Sequence, residues 1–191
     1  MSFGRFLKRA WRFIWDDNSV WSWLVNVVVA FVLIKFVVYP GLGFLLGTTH
    51  PIVAVVSGSM VHDEPFDAWW ESNGAYYEGL GIDKGEFARF PLRDGFNVGD
   101  IIVLRSAGDT RPGDIIVFKS SRPDPIIHRV IEARPGSFTT KGDHNPEPIR
   151  DSTMNEHDVN PSMVIGKSFI RIPLLGYIKI GAVQLFGWFA R

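Results

Sequence analysis

Ser59 is the side chain best placed for nucleophilic chemistry. It lies in Ser57-Gly58-Ser59-Met60, directly after the apolar run Ile52–Val56. A strand ending in Ser-Gly-Ser leaves a hydroxyl at a sheet edge with little bulk around it, because glycine permits close backbone approach. The Ser57 hydroxyl and the Ser59 backbone N–H are then candidate donors to a developing oxyanion. The string is not the Gly-x-Ser-x-Gly elbow of α/β-hydrolases. A serine hydroxyl needs an adjacent base. Of the five histidines, His50, His62, His144 and His157 fall in polar stretches, whereas His128 sits inside the apolar run Ile126–Ile131. An ordinary imidazole titrates near about 6.5 and suits a base at neutral pH. A lysine base, Lys141 or Lys119, would first need a large desolvation shift. Acids able to orient an imidazole are Asp143, in Lys141-Gly142-Asp143-His144-Asn145, and Asp151.

Composition removes other chemistries. There is no cysteine, hence no thiol nucleophile, disulfide scaffold or cysteine-held zinc. The group Asp143, His144, Glu147, Asp151 and His157 matches no metal-ligand spacing, so no metal and no cofactor is expected. The 20 basic and 20 acidic residues balance, which disfavours a nucleic-acid partner.

The elements that must position these groups read as a mainly β protein. Short β-branched runs bounded by Gly, Pro and Asp predict strands over Ile52–Val56, Ile101–Leu104, Ile115–Phe118, Ile126–Glu132, Ser137–Thr140 and Met163–Ile170. Gly-Asp-Ile-Ile-Val occurs twice, from Gly99 and from Gly113, as a Gly-Asp turn feeding an apolar strand. Together these predict an antiparallel β catalytic domain over 48–180. Residues 62–98 interrupt it with an acidic, aromatic stretch that reads as a small helical insertion, Asp83 and Glu86 forming a helix start. Its aromatics predict a mini-core against the sheet; the alternative is a docking surface.

Ahead of the domain, 17 of the 20 residues from Val20 to Tyr39 are apolar, the exceptions being Ser22, Asn26 and Lys35. That length matches a bilayer span, so a transmembrane signal-anchor helix is predicted over 20–47. Lys35 is expected near the outer end of the run, within snorkelling reach of the interface. The run is longer than the apolar region of a cleaved signal peptide, and no small-x-small site follows it. Residues 1–15 contain four positively charged residues and no acidic one, which predicts a cytoplasmic segment 1–19 and a domain on the far side of a cell membrane. The apolar stretch 172–191 reads as an interfacial helix or a marginal second span.

In this order the motifs resemble type I signal peptidase, in its archaeal and endoplasmic-reticulum branch. They are an apolar span, Ser57-Gly58-Ser59-Met60, Gly113-Asp-Ile-Ile-Val-Phe-Lys119, Ile126-Ile-His-Arg-Val-Ile131, Thr140-Lys-Gly-Asp-x-Asn145 and Arg171-Ile-Pro-Leu-Leu-Gly-Tyr177. The resemblance covers residues 20–61 and 99–180. Bacterial members carry lysine where His128 stands. It implies a membrane-bound serine endopeptidase with Ser59 as nucleophile, His128 as general base, Asp143 and Asp151 as acids of the site, and Ser57 as an oxyanion contributor. Which aspartate orients the histidine stays open, because eight residues separate the two where the family has about six. Two further departures are His62 where the family has proline, and the insertion directly after the nucleophile. The implied partners are signal-peptide-bearing preproteins, the lipid bilayer and the translocation machinery. The alternatives are a self-cleaving Ser-Lys protease of related fold and a non-enzymatic, membrane-tethered β-domain adaptor.

Overall fold

A computed structural model describes residues 3–177, which divide into two compact units, the first ending at Leu45. In the first unit, α1 (Phe3–Trp15) is followed by α2 (Val20–Leu33), a π-helical turn over Ile34–Val38, and α3 (Tyr39–Leu46). Ser19 starts α2 by accepting from Ser22 N at 3.2 Å. The helical path from Val20 to Leu46 is continuous and is the one helix among the described residues long and apolar enough to cross a membrane. Pro40 explains the π-turn: a proline has no N–H to return to the preceding turn, and its ring crowds the carbonyl four residues back. Because the helix continues to Leu46, Lys35 is not near its outer end. Eleven residues follow it, roughly 16 Å of helix, and its ammonium lies 5.6 Å and 5.5 Å from the Phe31 and Phe36 ring centres.

The second unit is built on one six-stranded antiparallel sheet. Its strands are β1 (Ile52–Ala54), β2 (Ile101–Arg105), β3 (Ile115–Phe118), β4 (Ile126–Arg134), β5 (Ser137–Lys141) and β6 (Val164–Ile172), in the order β1-β2-β6-β3-β4-β5. All the expected strands form, and the fold is mainly β behind a membrane-type helix. β3 reads as an unbroken apolar run because both its faces are covered. Ile115 and Val117 join Val55, Met60, Phe96, Ile102 and Leu104, while Ile116 and Phe118 join Val130, Met154 and Val159. The repeated Gly-Asp turns are built alike. Gly99 and Gly113 take φ of +88° and +93°, which glycine adopts without a Cβ clash. In each turn the aspartate accepts the amide three residues earlier, Asn97 N at 2.8 Å on Asp100 and Arg111 N at 3.0 Å on Asp114.

Between β1 and β2 the chain forms α4 (Phe66–Glu78) and the short α5 (Lys84–Phe87). Asp83 caps α5 by accepting from Glu86 N at 2.7 Å. Trp69, Trp70, Tyr77, Ile82 and Phe87 are buried together against Ile131 of β4, so these aromatics form a satellite core on the sheet. The stretch expected to be an interfacial helix or second span lies outside the described residues from 178 onward.

Candidate active site

The loop after β1 is pinned from both ends. Met60 is fully buried in the sheet core, and its carbonyl accepts from Phe96 N at 3.0 Å. One residue earlier, the Ser59 carbonyl accepts from His144 N at 2.9 Å. The apolar Met side chain therefore draws the loop inward while Ser59 stays part-exposed at its rim. Ser59 Oγ lies 3.3 Å from Ser57 Oγ, and no backbone acceptor among the described residues takes the Ser59 N–H.

His128 is 3% exposed and stands on β4 opposite Ile116. Its Nδ1 pairs with Glu156 Oε1. Glu156 is fully buried and fully engaged: Thr140 Oγ1 donates to Oε1 at 2.8 Å, and Ile149 N donates to Oε2 at 2.8 Å. The other ring nitrogen of His128 turns toward the Ser59 loop. A Cβ added to Gly142 would stand 2.9 Å from His128 Nε2, 2.7 Å from Ser59 O and 2.7 Å from Asn145 Nδ2. These atoms crowd round one glycine Cα, which explains why the Lys-Gly-Asp string needs glycine there. Ser57, Ser59, His128 and Asn145 line a single cleft of 420 Å³, walled by Val56, Ile126, Ile127 and Ile149. Asn145 Nδ2 is buried without a partner.

The two expected acids are placed elsewhere. Asp143 is fully buried, but its carboxylate receives Arg129 Nε at 2.9 Å and Nη2 at 2.7 Å, His62 Nε2 at 3.1 Å and Tyr77 OH at 3.2 Å. The reason is strand alternation: consecutive residues of β4 point to opposite faces, so His128 faces Glu156 while Arg129 faces the aromatic insertion. Arg129 uses its remaining donors on the carbonyls of Pro91 (2.9 Å), Gly113 (3.0 Å) and Leu92 (3.1 Å). Burial pushes the Asp143 carboxyl up; the Arg129 charge, with hydrogen bonds from His62 and Arg129, overrides this and holds it well below the usual carboxylate range. Asp151 is exposed. It folds its own turn by accepting from Thr153 N (2.7 Å), Thr153 Oγ1 (2.6 Å) and Met154 N (2.9 Å), and it pairs with Arg122 at 2.8 Å. The Thr153 hydroxyl, its backbone and Arg122 lower its pKa to about 2.

Glu156 is the carboxylate that sequence reading missed. It returns to the site through a fold-back in which Arg150 and Asn155 bridge, with Glu156 N donating to Ile149 O at 2.9 Å. Nothing in the sequence sets it apart from Glu147, Asp151 and Asp158 in the same stretch. The buried Lys141 is turned away from the serine: its Nζ donates to Tyr77 OH at 3.3 Å and Gly142 O at 3.2 Å. Burial lowers its pKa to about 8, against the opposing charge of Asp143. Lys119 is exposed. Among the described residues, no group of His, Asp and Glu could hold a metal.

A serine hydroxyl and an imidazole backed by a buried carboxylate, lining one cleft of an antiparallel sheet, are the side chains that a serine hydrolase uses. No family model matches the chain. It is 30% identical over 157 residues to the signal peptidase complex catalytic subunit of Pyrenophora tritici-repentis, covering 76% of this chain and 70% of the relative. It is 29% identical over 154 residues to the corresponding subunit of Leptosphaeria maculans, with 76% and 70% covered. To the human signal peptidase complex catalytic subunit SEC11C it is 29% identical, covering 75% of this chain and 62% of the relative. The chain belongs to the family of signal peptidase catalytic subunits, and is a serine endopeptidase of that family.

Proposed function

We propose that this chain removes signal peptides from exported preproteins by Ser59 attack, with His128 as base and Glu156, rather than Asp143 or Asp151, as the acid that orients it. The observation carrying this reading is the Glu156–His128 pair, with the opposite ring nitrogen facing Gly142 and the Ser59 loop. Glu156 accepting at Nδ1 places the imidazole proton there and leaves Nε2 free to take the Ser59 proton. As the scissile carbonyl becomes tetrahedral, its oxygen is stabilised by Ser59 N–H and the Ser57 hydroxyl, with the unpartnered Asn145 amide as a further donor at the same cleft. His128 then returns its proton to the leaving amine, and water releases the acyl-enzyme. In this scheme Asp143 is a structural anion that fixes the Lys-Gly-Asp loop through Arg129, and Asp151 shapes a surface turn.

Around the chain we place a bilayer spanned once by residues 20–46, with the N-terminus cytoplasmic and the β domain on the opposite side. Other subunits of a signal peptidase complex and the translocation machinery are the expected partners, as the relatives' description as complex subunits suggests. A tether shared with the substrate raises the effective concentration of cleavage site and enzyme. A Ser-Lys mechanism is disfavoured because the Lys141 amine is held by Tyr77 and Gly142. The test is processing of a signal-bearing preprotein by purified full chain. Ser59→Ala and His128→Ala should each abolish cleavage. Full activity of His128→Ala would transfer the base to a lysine, and full activity of Ser59→Ala would remove the serine mechanism.

A further inference from the structure

We infer that α1 is an interfacial helix, lying at the membrane surface beside the start of the span and taking anionic phospholipid headgroups along its basic face. This rests on the reading of Val20–Leu46 as a membrane span and on nothing in the catalytic site.

Arg5, Lys8, Arg9 and Arg12 are spaced three or four residues apart, or adjacent, so they form one stripe of the helix. All four line one concavity of 470 Å³. Phe3, Trp11 and Ile14 fall on the opposite stripe. Of these, Phe3 and Trp11 are 76% and 65% exposed, an unusual state for such side chains in water. No acid lies within α1.

The span itself clasps α1. The last carbonyls of a helix lack intrahelical donors. Here Ser22 Oγ donates to Phe13 O at 2.6 Å, and Asn26 Nδ2 donates to Ile14 O at 2.9 Å. Two of the three polar residues in the run Val20–Tyr39 thus serve α1. Their level along the span is informative. The 27 residues of the helical path rise about 40 Å, against about 30 Å of hydrocarbon, leaving roughly 10 Å outside it. Asn26 stands about 9 Å along from Val20. The clasp therefore lies in the first two turns of the helical path, at the end of the span nearest α1. Trp21 and Trp23, both exposed, mark the same end of the span, and Trp11 and Trp15 lie on α1. A bilayer surface is the one occupant continuous with the span, apolar toward its centre and negative at its rim.

The chain lacks cysteine, so single labels are unambiguous. Full-length Trp11→Cys and Lys8→Cys would carry a nitroxide in vesicles of phosphatidylcholine with a quarter phosphatidylglycerol. The label at 11 should relax with dissolved oxygen and be shielded from a water-soluble nickel chelate; the label at 8 should show the reverse. Spin-labelled phosphatidylglycerol should associate several-fold more strongly than labelled phosphatidylcholine, since each basic residue near an anionic surface contributes about fivefold. A fourfold Arg5→Gln, Lys8→Gln, Arg9→Gln, Arg12→Gln variant should bring the two lipids level. Nickel access at both labels would mean that α1 stands in solution as a protein-docking face, and shielding of both from both agents would mean protein packing; either overturns the inference. So does equal association of the two lipids with the unsubstituted chain. Cleavage of a short peptide in detergent should not change in the fourfold variant. Failure of cleavage in the unsubstituted chain would count against the peptidase mechanism alone.

Discussion

Replacing Glu156 by glutamine separates the proposed mechanism from its rivals. The substitution keeps shape and removes one acceptor. Its orientation is dictated by the site: Oε2 accepts from Ile149 N at 2.8 Å, so the new NH2 cannot face that amide and must occupy the Oε1 position against His128 Nδ1. A donor there forces Nδ1 to accept, which moves the imidazole proton to Nε2. The base is then blocked on the side that meets Ser59. The expected fall in kcat is about 10³–10⁴-fold, or roughly 4–5.5 kcal/mol at about 1.4 kcal/mol per decade. Exchanging a charge-assisted hydrogen bond for a neutral one should cost about 1 kcal/mol of stability. The assay is single-turnover cleavage of a preprotein by full-length protein in detergent, paired with thermal unfolding to confirm that the variant is folded. Asp151→Asn is the control, with kcat expected within about threefold because its contacts are confined to a surface turn and Arg122. If Glu156→Gln kept near-normal kcat while Asp151→Asn lost activity, the acid assignment would be wrong.

Other expectations follow from neighbouring contacts. Asp143→Asn should lower stability by about 3–5 kcal/mol, because it strands the fully buried Arg129 guanidinium, and thermal melting of the full chain should fall by roughly 10 °C or more. Gly142→Ala should reduce kcat by about 10²-fold with a smaller change in KM, since its methyl would stand under 3 Å from both Ser59 O and His128 Nε2; single-turnover rates would show this. Lys141, with its pKa lowered to about 8, binds fewer protons folded than unfolded between that value and the ordinary lysine value. Its contribution is therefore fully present above the unfolded pKa and lost as pH falls through about 8, making the chain more stable at pH 9.5 than at pH 7. Lys141→Met should flatten that slope in thermal melts at the two pH values.

The strands and the nucleophile loop were legible because local signals agreed. Gly-Asp turns, β-branched runs and the Ser-Gly-Ser-Met string each describe contacts made within a few residues. His128 could be singled out as an imidazole in an apolar strand. Its carboxylate could not. Glu156 reaches it through a fold-back whose Arg150–Asn155 bridge leaves no periodic trace. Asp143 was drawn toward the histidine by its motif, yet the alternation of β4 gives it to Arg129. The helix expected over 20–47 runs from Val20 to Leu46, absorbing Pro40 with a π-turn that no residue pattern announced.

Arg129 touches three separate stretches of chain through one side chain: the Pro91–Leu92 end of the insertion, the Gly113 turn before β3, and the Asp143 loop beside the catalytic cleft. Since the guanidinium is fully buried, opening the Asp143 loop would leave its charge unpaired, and opening either of the other stretches would leave N–H donors without acceptors. The three stretches should therefore exchange amide hydrogens as one cooperative unit. The insertion is thus not an appendage to the sheet but part of what holds the Asp143 loop in place, and proteolytic nicking near Leu92 would report on the integrity of that loop, far away in the chain.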